Sequence, residues 1–139
     1  MSVHLKNANQ VRLVSNLQKA SEYYSNVLGF TVDSWGHTGR DNVGFLLQQA
    51  ANPEDVKPNE RSYYSSENWV GPPTGWDTYC YTDYEGVLEI YEEYKSKGAI
   101  IAYDPVPEGM INQDWVEFGV RDLDGYVIVF GGGKPKVFE

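Results

Sequence analysis

Apolar positions along the chain follow two rhythms, and the alternation between them outlines a repeated unit. Val11-Arg12-Leu13-Val14 reads as a short strand, followed after Ser15 by a helical stretch. There Leu17, Ala20, Tyr24, Val27 and Leu28 recur at spacings of three and four, which places them on one helical face. Asn16 is positioned as an N-cap, its side-chain oxygen able to accept from a first-turn amide. Gly29 ends the helix, where a left-handed residue is often needed, and Phe30-Thr31-Val32 opens another strand. Residues 44–48 form a further short strand.

The same order returns later in the chain. Thr78-Tyr79-Cys80-Tyr81 reads as a strand and Asp83 stands where Asn16 stood. Val87, Leu88, Tyr91 and Tyr94 then share a helical face, and Gly98 closes the helix before the strand from Ile100 to Ala102. Asn16 to Tyr24 and Asp83 to Tyr91 are both eight residues, a weak duplication of pattern more than of identity. Two last strands, Trp115 to Arg121 and Tyr126 to Gly131, flank the turn Asp122-Leu123-Asp124-Gly125. Two strand-helix-strand units, each followed by more strands, predict an α+β protein with helices on one side of its sheets. Between the units the chain changes character. Residues 51–74 carry Pro53, Pro58, Pro72 and Pro73 among many polar residues, and also Tyr63, Tyr64 and Trp69. A loop of that length in a compact domain is more often functional than decorative.

Composition narrows the partners. At 139 residues there is material for one domain with a real core, without disulfides or a structural metal. The formal charge of −9 argues against nucleic acid and for a cationic ligand, although an acidic surface also serves solubility. No apolar run approaches the ~20 residues of a membrane span. The first ten residues lack an apolar signal core, and the single Cys80 fits a reducing compartment, so a cytoplasmic location is expected. Four Trp and eleven Tyr are many for this length.

Two stretches carry a family resemblance. Val14-Ser15-Asn16-Leu17, continuing through Tyr23-Tyr24 to Leu28-Gly29-Phe30, resembles the opening signature of the glyoxalase/bleomycin-resistance/dioxygenase (vicinal oxygen chelate) superfamily. Glu117-Phe118-Gly119-Val120-Arg121-Asp122-Leu123-Asp124-Gly125 is similar to the closing motif of its bleomycin-resistance branch, with Leu123 and Tyr126 as departures in the final turn. The resemblance implies a single domain of paired βαβββ modules, at about 5–50 and 75–133, joined by the loop at about 51–74. Their curved mixed sheets would enclose a cavity, with the helices on the outer face. It also implies a homodimer.

Enzymatic members of the family hold a divalent metal on His, Gln or Glu, and the corresponding positions fall here on Asn9, Trp76 and Val129. A one-residue shift gives Gln10, Asp77 and Ile128, no better as a set. His4 and His37 read as surface histidines. No metal and no cofactor are therefore expected.

Counting strand alternation from these positions places Asn9, Val11 and Leu13 on the cavity side. Trp76, Thr78, Cys80, Trp115, Glu117, Val127 and Val129 fall there too. Tyr79, Tyr81, Phe118, Val120, Ile128 and Phe130 fall under the helices, and so, awkwardly, does Arg12.

Ligand-binding candidates are Trp76, Trp115 and Glu117, with Trp35, Tyr64 and Trp69 extending the walls. Aromatic walls with one carboxylate suit a planar or cationic small molecule, although both tryptophans could equally serve a core or a dimer interface. The resulting expectation is an antibiotic-sequestering binding protein, resembling the bleomycin-resistance proteins, more than an enzyme. The alternatives are a metal-dependent lyase, isomerase or dioxygenase with ligands elsewhere, and a metal-free enzyme using Glu117 as acid or base.

Overall fold

A computed structural model of the chain describes residues 2–60, 75–105 and 114–134. It divides into two compact units, Met1–Val56 and Lys57–Glu139. The first unit contains β1 (Gln10–Val14), α1 (Leu17–Asn26), β2 (Thr31–Val32), β3 (His37–Arg40) and β4 (Val43–Gln49). The second contains β5 (Thr78–Tyr81), α2 (Tyr84–Ser96), β6 (Ile100–Tyr103), β7 (Trp115–Arg121) and β8 (Val127–Gly133). Each unit is βαβββ, and their sheets have matching orders, β1-β4-β3-β2 and β5-β8-β7-β6. In both, the first strand runs parallel to the last and the remaining pairs are antiparallel. The duplication seen as a pattern in the sequence is thus a duplication of topology.

Local chemistry explains the helix limits. Asn16 Oδ1 accepts from the Lys19 amide at 2.9 Å, and Asp83 Oδ1 accepts from the Gly86 amide at 2.7 Å. Both helices end before a glycine in the left-handed region, Gly29 at φ 78° and Gly98 at φ 79°. β3 is not among the strands that the sequence pattern predicts, because Gly36 and Gly39 beside His37 favour a turn. Thr38 is buried and pairs with Phe45, so β3 is an interior strand of its sheet.

In the first unit α1 buries Ala20, Tyr23 and Tyr24. The Tyr24 ring meets Phe30 and Phe45 edge-on at 5.9 and 5.7 Å. Arg12 does lie on this core side and is only 3% exposed. Its guanidinium sits 4.5 Å from the centre of the Phe45 ring, and Nη2 donates to Gln10 Oε1 at 3.1 Å. A cation over a ring face keeps part of its electrostatic stabilisation after leaving water, which is how this position tolerates arginine.

In the second unit α2 covers Val116, Phe118, Val120, Ile128 and Phe130, all buried. Phe118 stacks on Phe130 at 5.5 Å, with Tyr91 and Tyr94 packed edge-on against the pair. This agrees with the expected helix-side set for β7 and β8. For β5 the expectation is reversed. Cys80 is buried and pairs with Phe130 on the helix side, whereas Tyr79 reaches Glu117 on the opposite face. Tyr81 shares that opposite face and is 76% exposed. The parity had been counted from Trp76, but β5 starts at Thr78. Strict alternation does not apply across residues 76–77, so Thr78 and Cys80 change places with Tyr79 and Tyr81.

Candidate functional site

The sheet face of the second unit that points away from α2 carries a closed polar network inside an aromatic setting. At its centre Glu117, on β7, is 1% exposed. Its Oε1 accepts from the Tyr79 hydroxyl at 2.7 Å, and its Oε2 accepts from the Tyr103 hydroxyl at 2.8 Å. Tyr79 comes from β5 and Tyr103 from the end of β6, so the strands on either side of β7 and β8 close over Glu117 together. The Trp115 indole N–H donates to the Tyr79 oxygen at 3.0 Å. Trp76 lies edge-on to Tyr79 at 5.2 Å and also interacts with the Tyr103 hydroxyl. Each phenol is therefore backed by an indole.

Glycines make room for the two phenols. Gly131 pairs with Glu117 across β7 and β8, and a Cβ there would run into the Tyr79 hydroxyl, 2.7 Å from ring carbon Cζ. A Cβ at Gly119 would come within 2.8 Å of the Tyr103 ring. The rings pass close over bare backbone, which lets their hydroxyls converge on one carboxylate.

Burial raises the pKa of both phenols above the ordinary 10.0, and the Glu117 carboxylate beside them raises it further. The Trp115 N–H acts in the opposite direction on Tyr79, as Trp76 does on Tyr103. Because the folded-state values lie above the unfolded ones, the stability these phenols contribute is complete below pH 10. It declines as pH climbs beyond that, where tyrosines of the unfolded chain ionise first. Phenolate absorbance followed against pH is expected to show at least two of the eleven tyrosines ionising only as the protein unfolds. Simple titration of all eleven with the fold intact would refute this.

The structure thus brings together three of the residues named from sequence, Trp76, Trp115 and Glu117. Trp76 joins the cluster from the segment before β5 rather than as a strand position. Sequence reasoning missed Tyr79, Tyr81 and Tyr103. The first two were assigned to the wrong face, and the role of Tyr103 depends on a register irregularity in β6 between Ile101 and Tyr103. The Tyr79 ring lies 4.9 Å from Tyr81, and Tyr81 lies 6.3 Å from Trp115, so the network is continuous with an exposed aromatic surface. Trp35 belongs to the first unit, in the turn between β2 and β3, and is 79% exposed. Tyr64 and Trp69 lie outside the described residues.

The positions that correspond to metal ligands do not fit a metal. Val129 is fully buried and offers no donor atom, and the Trp76 indole is engaged with two tyrosines. Asn9 is exposed ahead of β1. The shifted set fares no better. Both Asp77 oxygens accept backbone amides, from Asn59 at 2.7 Å and Val127 at 2.8 Å, while Ile128 lies on the helix side. Among the described residues no three His, Cys, Asp or Glu side chains gather.

A separate depression of about 940 Å³ in the first unit is lined by residues 6–9, 31–33, 37–39 and 41–44, a mostly polar set. Here His37 Nδ1 lies 2.9 Å from Asp33 Oδ2, and Asp33 Oδ1 accepts the Trp35 and His37 amides. Desolvation alone would raise the Asp33 carboxyl, but these hydrogen bonds from His37 and Trp35 outweigh it and hold its pKa down. His4 and His37 are both exposed, as expected of surface histidines.

No protein-family model matches the chain, and no curated protein matches it. Solved structures do match over nearly the whole length. A structure from the mobile metagenome of V. pseudocholerae is 20% identical, covering 97% of this chain and 98% of that one, with a TM-score of 0.60. The genomically encoded fosfomycin resistance protein FosX from Listeria monocytogenes is 14% identical, covering 96% of each chain, with a TM-score of 0.62. UcmS2 is 16% identical, covering 93% of this chain and 98% of that one, with a TM-score of 0.63. At these identities the likeness carries the fold. The paired βαβββ units expected from the sequence are present, and these solved structures share that fold over nearly the whole chain.

Proposed function

We propose that this protein binds a planar or cationic small molecule without a metal, in the manner of the antibiotic-sequestering, bleomycin-resistance-like proteins. One observation carries the reading. A buried carboxylate, Glu117, has two phenols as its partners among the described residues, and its charge lies beneath a wall of aromatic rings. Such walls supply stacking surface and attract cations, and a net charge of −9 adds to that attraction. One structural neighbour is itself a fosfomycin resistance protein, in keeping with a resistance role. Trp76, Trp115 and Glu117 form the centre of the proposed site. Pairing with a second copy of the chain and a cytoplasmic location belong to the same proposal.

The test is a titration of tryptophan fluorescence with bleomycin-type and other planar cationic compounds. A saturable change is expected, and Trp115→Phe should remove much of it. The absence of any saturable response across the panel would refute the reading. So would a stoichiometric transition metal in protein purified without a chelating tag, which would restore the metal-dependent enzyme.

A further inference from the structure

Resting on that binding reading, we infer that the Glu117 face selects a permanently charged cation with no N–H to donate, such as a quaternary ammonium or an N-alkylated heteroaromatic ring.

The inference follows from how the carboxylate is presented. Glu117 is 1% exposed, and each of its oxygens already takes a phenol proton. Spare lone pairs remain on both oxygens, but at that burial, beneath the two phenols, they are out of reach of a ligand's own N–H. The next acceptor outward, the Tyr79 oxygen, accepts the Trp115 N–H and has one further lone pair at most. What reaches a ligand is the negative charge itself, acting through the phenols, together with the faces of Tyr79, Tyr81 and Trp115. A primary ammonium or guanidinium, with three to five N–H donors, would lose more hydrogen bonds on leaving water than the few phenol lone pairs of this surface could replace. A methylated nitrogen gives up few hydrogen bonds to water and keeps its attraction to the rings and to the buried charge. The site thus separates two cations of equal charge by their hydrogen-bonding capacity.

The experiment uses the full chain and four probes at neutral pH. Benzyltrimethylammonium is compared with benzylammonium, and N-methylquinolinium with neutral quinoline, by calorimetric titration. Each quaternary probe is expected to bind about tenfold or more tightly than its counterpart. Glu117→Gln should weaken both quaternary probes about tenfold while leaving quinoline nearly unchanged. Circular dichroism checks that this variant is folded, and if it is not, the four-probe comparison on the unaltered chain decides. Benzylammonium binding as tightly as benzyltrimethylammonium would overturn the inference. Equal saturable binding of quinoline and N-methylquinolinium would also overturn it, while the binding reading survived. Failure of all four, with failure of the bleomycin-type panel, would overturn the binding reading as well.

Discussion

Gly132→Ala is expected to lower stability by about 3 kcal/mol, the upper part of the usual range for forcing extra atoms into a packed interior. Gly132 pairs with Val116 on the α2 side of the sheet, where the chain passes from β5 into the helix. A methyl group there would press on the Thr82 carbonyl oxygen and lie 2.6 Å from the Asp83 carbonyl carbon. The atoms in the way are backbone, so no rotamer change can relieve the contact. The residue displaced is the α2 N-cap, whose carboxylate holds the Gly86 amide. Relief would thus cost the cap as well as the strand junction. Urea unfolding measures it, and a loss below about 1 kcal/mol would show that this junction yields more easily than its geometry suggests.

A double replacement, Tyr79→Phe with Tyr103→Phe, is expected to cost about 4 kcal/mol. It keeps the rings and removes both donors, leaving the Glu117 carboxylate buried without the two hydrogen bonds that hold it. A buried charge stripped of its partners costs more than a buried charge removed altogether. Adding Glu117→Leu to the double variant should therefore restore a large part of the loss, so that three substitutions destabilise less than two. A triple variant less stable than the double would mean that Glu117 is held by more than these phenols. The comparison also bears on function, since it removes the charge while preserving aromatic area.

These two predictions depend on different depths of reading. Gly131 was legible as the end of a strand, and nothing local marked Gly132 or Gly133, to which the strand extends. In the fold, Gly131 clears space for Tyr79 on one face and Gly132 clears space for the helix start on the other. Glu117, Trp115 and Trp76 were legible as site candidates because strand alternation, counted from the positions of the family's metal ligands, put them on the cavity side. Tyr79 and Tyr103 were not, because one depended on where β5 starts and the other on the register irregularity in β6. An error of one residue in a strand exchanges its two faces completely.

By itself the sequence determined the elements and their repetition. Both capped helices, both glycine stops and the strands of the second unit follow from local spacing and capping chemistry, whose information lies within a few residues. It also determined the residue types at the positions of a metal shell, none of them convincing as a set. Only the tertiary structure decided which residues meet. β5, β6 and β7 are far apart in the chain, yet they bring two phenols to one carboxylate, through pairing registers that no local pattern specifies. β3 likewise became a strand because its partners on both sides completed its hydrogen bonds, against the turn signal of its own glycines. Local chemistry thus set the parts, and long-range pairing made a site of them.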